Sequence, residues 1–199
     1  YAALCLLNEN SKIVLKKVLI NPTRIGFFKI IKKHKGKIFF KNKRIIGNEV
    51  VADVHVKSSN IRPLKVGKKF FVSCQDEFPL MFAMSCLLPG ISIFKGIEDL
   101  ANKESNRIKE MGKILKQIGI KYAASKDEMR IHGNPHLKKE NKQIIVSGIF
   151  DHRILMSAAI LSLLTGINSK LKNFEQVGTS CPNFLSTIFK LGGRFEREN

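Results

Sequence analysis

The chain has 199 residues, 44% of them apolar, which is enough to bury a substantial core, and 35 Lys and Arg against 16 acidic residues give it a formal net charge of +19. That charge attracts any polyanion, but the basic residues are spread along the chain, and with no Trp and two Tyr there is no aromatic-basic interleaving of the kind that stacks bases. A specific nucleic-acid interface is therefore not expected, and Cys5, Cys74, Cys86 and Cys181, scattered without metal-ligand spacing, fit packing cysteines in a reducing compartment and no metal site.

From the N-terminus, the apolar run Ala2 to Leu7 predicts a helix and Lys12 to Val18 a strand. A second helix, Arg24 to Lys35, is entered after Pro22 and closes at Gly36. Lys37 to Phe40 follows as a strand, and Asn42 to Val56 as a hairpin or meander. The plan then restarts. Leu80 to Leu88 predicts a helix and Ile91 to Lys95 a strand. Next comes a helix from Arg107 to Ile118, with Ile108, Met111, Ile114, Leu115 and Ile118 at three- and four-residue spacing, ending at Gly119. Ile120 to Tyr122 and the strand-rich stretch Glu128 to Val146 complete this second pass. A third pass runs through the helix Ile154 to Leu164, the strand Ser169 to Phe174, the helix Pro182 to Leu191 closing at Gly192-Gly193, and the strand Arg194 to Phe195.

Three passes at a period of about 80 residues predict an internal repeat longer than ordinary solenoid units. The expected fold class is α/β (α+β), one globular lobe over residues 1–199, with units near 1–69, 70–148 and 149–199 and the third incomplete. The all-apolar helices belong inside, and each closing glycine is expected in left-handed backbone. Pro79, Pro89 and Gly90 interrupt the apolar stretch from Phe78 to Phe94, leaving it too short to cross a bilayer. No basic leader precedes Tyr1 to Leu7, and a start without Met inside an apparent helix reads as a piece of a longer polypeptide.

Three polar knots interrupt this apolar plan. Lys103, Glu104 and Arg107 crowd the start of the Arg107 helix, where unsatisfied N–H groups and the helix dipole favour an anion and the two cations add formal charge. A solvated, salt-bridged helix start is the competing reading. Asp76-Glu77-Phe78-Pro79 and Asp151-His152-Arg153 each place an Asp at a helix start, where it would also serve as an N-cap. Arg153 opposes the dipole of its own helix and so calls for a compensating anion, either Asp151 or a ligand. His152 is a candidate proton carrier or a hydrogen-bonded packing residue.

Together these runs resemble the C-terminal half of the 5-enolpyruvylshikimate-3-phosphate (EPSP) synthases. In the family's order stand Asn21-Pro22-Thr23-Arg24-x-Gly26, Val51-Ala52-Asp53-Val54-His55-Val56, Asp76-Glu77-Phe78-Pro79, Lys103-Glu104-Ser105-Asn106-Arg107, Asp151-His152-Arg153 and Thr179-Ser180-Cys181-Pro182. The resemblance implies one lobe of the EPSP synthase/enolpyruvyl transferase fold, three repeated units around inner helices. It also implies a cytoplasmic shikimate-pathway enzyme without metal or organic cofactor, which moves the enolpyruvyl group of phosphoenolpyruvate onto the 5-hydroxyl of shikimate 3-phosphate and releases phosphate. Asp76 would orient the shikimate hydroxyls and accept the proton of the attacking one. Lys103 would contact shikimate 3-phosphate, and Glu104 would move a proton at the phosphoenolpyruvate methylene from a carboxyl with a raised pKa. Arg107 and Arg153 would grip phosphoenolpyruvate through their planar forks, with His152 as a secondary candidate.

The remaining ligand contacts would come from the N-terminal lobe of the same enzyme, so this chain alone is expected to be inactive. Four departures stand out: Asn106 for an Asp, which bears on how Arg107 is held; Cys181 for an aromatic residue; Gln75 for an apolar residue; and Thr179 where some members offer a Lys. The alternatives are the related enolpyruvyl transferase acting on UDP-N-acetylglucosamine and, in a different class, a basic nucleic-acid-binding fragment.

Overall fold

Residues 1–137 and 139–196 are described by the computed structural model. In the first third, helix α1 (Ala2–Leu7) leads to strand β1 (Lys12–Leu19), helix α2 (Gly26–Lys33) and the hairpin β2 (Lys37–Ile46) and β3 (Glu49–Lys57). The expected break between Phe40 and Asn42 is absent, and the strand continues to Ile46. The hairpin turns at Gly47 (φ +55) and Asn48 (φ +65), the positive pair that a two-residue loop matched to strand twist demands. β1, β3 and β2 form an antiparallel sheet in that order.

Asp53 of the family-like Val51–Val56 run is a structural clamp in the middle strand. Its carboxylate accepts from the Lys17 backbone N–H (3.0 Å) and from Asn42 Nδ2 (3.0 Å), the points at which both neighbouring strands bulge. These hydrogen bonds, Asn42 foremost, hold its carboxyl down at about 2.

In the middle third come β4 (Lys65–Val66), the short helix α3 (Phe71–Cys74), α4 (Phe78–Ser85), β5 (Gly90–Lys95), α5 (Arg107–Gln117), β6 (Tyr122–Ala124) and β7 (Glu128–Gly133). They build a sheet in the order β4-β5-β7-β6, with β4 parallel to β5 and the other pairs antiparallel. The last third holds β8 (Gln143–Val146), α6 (His152–Thr165), β9 (Asn168–Leu171) and α7 (Phe184–Lys190). β8 does not finish a meander of the second sheet, as its sequence position suggested. It pairs in parallel with β9 beyond α6, so a crossover through α6 connects them instead of a hairpin. Arg194 and Phe195 form no strand.

One hydrophobic core runs from Ala2 to Ile188. Its centre is α4 packed against α6 with α1 beside them, and Phe78, Met81, Phe82, Ala83 and Met84 of α4 are all fully buried. A helix apolar on every side has no stable place except inside. The amphipathic α2 and α5 instead turn one apolar face to this centre, through Phe27, Ile30 and Ile31 and through Ile108, Met111, Ile114 and Leu115.

α2, α5 and α7 end alike. The N–H of the second residue past each cap bonds back across six residues, Gly36 to Ile31 O, Ile120 to Leu115 O and Gly193 to Ile188 O, the ring of a Schellman motif. Gly119 (φ +72) and Gly192 (φ +93) take the left-handed position as expected, but in α2 Lys35 (φ +76) takes it in place of Gly36. Gly36 is required for a different reason, because a Cβ there would lie 2.9 Å from Ile31 O. The α2 helix also starts at Gly26 and not at Arg24, since Asn21 Oδ1 captures the N–H and hydroxyl of Thr23 in a turn beforehand.

Candidate active site

The N-termini of α5 and α6 and the 3-10 turn Gln75–Glu77 ahead of α4 meet at one place. Arg107, the first residue of α5, lies at their centre with 1% of its side chain exposed. Its Nε donates to Asp151 Oδ2 at 3.0 Å and its Nη1 to Asp76 Oδ1 at 3.1 Å, while Nη2 reaches Glu104 Oε2 and, at 3.5 Å, Asp151 Oδ1. Arg153 Nη2 donates to the other oxygen of Asp76 at 3.4 Å. Lys103 Nζ donates to Gln75 Oε1 at 2.8 Å, one residue from Asp76. Asp76, Lys103, Glu104, Arg107 and Arg153 are thus brought together. His152, adjoining Arg153 at the start of α6, is half-buried and makes no side-chain hydrogen bond among the described residues.

The capping expectations divide. Asp151 is the N-cap of α6, its Oδ1 accepting from the Arg153 N–H at 2.9 Å. Asp76 caps nothing, because Glu77 occupies the cap position of α4, and this frees both Asp76 oxygens to bridge the two arginines. Arg153 is therefore compensated by Asp76 and not by the Asp151 carboxylate. Asn106 does not hold Arg107. It caps α5 by accepting from the Lys109 N–H at 3.0 Å, and the three carboxylates hold the guanidinium.

Asp151, read from the sequence as an N-cap and as a candidate counter-ion of Arg153, is instead the buried counter-ion of Arg107. With Asp151 at 0% exposure, the charges of Lys103, Arg107 and Arg153 are matched in number by Asp76, Glu104 and Asp151. Burial disfavours the Arg107 cation, but Asp151, Asp76 and Glu104 outweigh that and raise its pKa above the ordinary value. Burial likewise works against the Asp151 carboxylate, yet bonds from Arg107, Ser105 Oγ (2.9 Å) and the Arg153 N–H hold its carboxyl below the usual range. Burial, with Asp76 adding to it, pushes the Glu77 carboxyl upward, while Arg153 and Arg24 oppose the shift. Arg24 is the point at which the Asn21–Gly26 run approaches this cluster.

Gln75, Ser105 and Asp151 are the members that sequence reasoning missed or undervalued. All three stand inside or beside the polar knots, but their partners are 28 to 46 residues away. The Nε of Arg153 is buried without a hydrogen-bond partner among the described residues. Exposure grades outward from Arg107 to Arg153 (31%), Asp76 (35%) and Glu104 (48%), so the cluster has a sealed floor and an accessible rim. Thr179 spends its hydroxyl on Gln176 O. Lys138, one of the cations spread along the chain, lies outside the described residues.

Among the described residues no group of three or more His, Cys, Asp or Glu is arranged to hold a metal ion. All four cysteines are free, and burial pushes the Cys74 thiol up to about 12. No helix of the described residues is long and apolar enough to cross a membrane. A groove of about 330 Å³ lies elsewhere, between Tyr1, Leu4, Leu163 and Ile188.

The family model for EPSP synthase (3-phosphoshikimate 1-carboxyvinyltransferase) matches residues 1–188. The 3-phosphoshikimate 1-carboxyvinyltransferase of Thermoanaerobacter sp. (strain X514) is 36% identical over 90% of this chain and 41% of its own length. That of Aquifex aeolicus is 35% identical over 96% of this chain and 44% of its own. Among solved structures, an EPSP synthase from Acinetobacter baumannii superposes with a TM-score of 0.84 at 29% identity, covering 95% of this chain and 43% of that one. The enolpyruvyl transferase NikO from Streptomyces tendae shares the fold alone, with a TM-score of 0.70 at 12% identity over 97% of this chain and 41% of its own. The chain spans less than half the length of the curated relatives it matches.

Proposed function

The chain belongs to the EPSP synthase family, and from that premise we propose that the intact protein transfers the enolpyruvyl group of phosphoenolpyruvate to the 5-hydroxyl of shikimate 3-phosphate. The hydroxyl oxygen adds to the substituted enol carbon as the methylene gains a proton. Loss of inorganic phosphate and of a methyl proton then restores the double bond. This chain is the C-terminal lobe, a single lobe of three units near residues 1–69, 70–148 and 149–199, and an N-terminal lobe of the same cytoplasmic enzyme supplies the other ligand contacts.

Asp76 orients shikimate 3-phosphate and receives the proton of its attacking hydroxyl, Lys103 binds the same substrate, and Glu104 exchanges the methylene proton. Arg107 and Arg153 hold phosphoenolpyruvate, with His152 as a secondary proton carrier beside them. The observation that supports this reading best is Arg153. Its guanidinium has a single long bond to Asp76 and a buried Nε–H with no partner among the described residues. A buried donor left unpaired is costly, and an anionic oxygen of a ligand would satisfy it.

The test is phosphate release by the purified intact protein. Release that requires both phosphoenolpyruvate and shikimate 3-phosphate, with a carboxyvinyl ether product visible by NMR, is expected. Turnover with UDP-N-acetylglucosamine in place of shikimate 3-phosphate, or none with either, would refute the assignment.

A further inference from the structure

The three cations of the cluster are not held alike. Arg107 and Arg153 are paired with carboxylates, whereas Lys103, among the described residues, has its ammonium on a neutral amide, Gln75 Oε1, at 2.8 Å. Gln75 stands at the start of the turn Gln75–Glu77, between the buried Cys74 and Phe78, so one anchored turn presents both this amide and the Asp76 carboxylate.

We propose that Gln75 is the positioning residue for Lys103: its amide fixes the ammonium on the turn that carries Asp76 without neutralising it, and so keeps one full positive charge for the phosphorylated substrate. A lysine stem is flexible, and a ligand that had to order it would bind more weakly, so a tether made in advance lowers that cost. A carboxylate at position 75 would tether Lys103 equally well but would cancel the charge and repel the incoming anion. An apolar residue there would leave the stem loose. The amide is the side chain that does neither.

This inference rests on the assigned reaction only for the identity of the substrate, so its test uses inorganic phosphate. Calorimetric titration of the intact protein with phosphate should show Gln75→Leu weakening binding by about 3- to 10-fold, the scale of a partly exposed bond to a charged group. Gln75→Glu, nearly identical in shape, should weaken it at least as much. In a Lys103→Met background Gln75→Leu should have no further effect. With shikimate 3-phosphate, KM should rise in Gln75→Leu while kcat changes less than about twofold.

Gln75→Glu binding phosphate as well as the parent would overturn the proposal, because the amide would then matter only for its shape. So would an undiminished loss from Gln75→Leu in the Lys103→Met background, or a parent protein that does not bind phosphate. Coupled loss of phosphate binding in a protein that turns over no shikimate 3-phosphate would leave this inference standing and sink the assigned reaction instead.

Discussion

Arg107 and Arg153 look equivalent in the sequence, and the structure predicts that replacing them will have opposite signatures. Arg107→Ala removes a guanidinium that is 1% exposed and leaves Asp151, at 0% exposure, with only Ser105 Oγ and one backbone N–H as donors. Breaking a buried ion pair by deleting one partner costs about 3–5 kcal/mol, because the remaining charge is stranded away from water. Arg153 is 31% exposed and makes one 3.4 Å contact with a carboxylate that is itself 35% exposed. Its removal should cost less than about 1 kcal/mol of stability. Its effect on catalysis should be large, about 2–5 kcal/mol of transition-state stabilisation, the scale for truncating one partner of a desolvated charge pair. Urea unfolding followed by far-UV circular dichroism, beside kcat/KM from phosphate release, separates the two. The exposed Lys43 is the control, and Lys43→Ala should leave both within error. The reasoning fails if Arg107→Ala loses less than about 1 kcal/mol of stability, or if Arg153→Ala is destabilised as much as it is inactivated.

The 199-residue chain produced alone should release no measurable phosphate from phosphoenolpyruvate and shikimate 3-phosphate; a rate near that of the intact enzyme would contradict the two-lobed site. His34 gives a pH dependence: its Nδ1 bonds Ile30 O at 2.8 Å and its Nε2 accepts the Lys65 N–H at 2.9 Å, which requires a neutral ring. Burial lowers its pKa, with Lys33 and Lys65 adding to the effect and the Ile30 carbonyl opposing it. The unfolded chain therefore takes up the proton first, and this contribution is complete above the unfolded value of about 6.5 and is lost as pH falls below it. The urea midpoint should drop between pH 7.5 and 5.5, and His34→Gln should flatten that drop; an unchanged slope would refute this role for His34. Lys35→Gly should stabilise by about 1 kcal/mol in the same unfolding assay, since Lys35 holds φ +76 against its Cβ; a loss of stability would show that the lysine contributes something the backbone argument omits.

Local order was legible in the sequence where local physics decides it. The 3.6-residue period of Ile108 to Ile118, the all-apolar run at Leu80 and the strand at Ile91 each reappear as elements within a few residues. Where the sequence misled, a distant partner was responsible. β8 reads as the close of the second pass, but it pairs with β9, which becomes available only after α6 folds back. Gly36 reads as a left-handed cap because glycine usually marks one, whereas here it yields that position to Lys35 and is needed for its close approach to Ile31. The same division holds in the site. The polar knots were conspicuous as charges in apolar surroundings, but nothing local distinguishes Asp151 as a cap from Asp151 as the buried counter-ion of a residue 44 positions away. Pairing of that kind is set by how α5 and α6 pack, not by either helix alone.

That pairing constrains how an anion can engage Arg107. A guanidinium carries five N–H donors. The Nε donor is committed to Asp151, one Nη1 donor to Asp76, and the Nη2 group to Glu104 and Asp151. A ligand that grips Arg107 through two parallel bonds must therefore displace a carboxylate. Asp151 is sealed in at 0% exposure and tied down by Ser105, so the displaced partner has to be Asp76 or Glu104, which are 35% and 48% exposed. These are the two carboxylates to which the proposed mechanism assigns proton transfer. Phosphoenolpyruvate that took over these Arg107 donors would release one of them from its ion pair. Substrate binding and the freeing of a carboxylate would then be a single exchange of partners around one buried arginine, with Asp151 holding that arginine in place throughout.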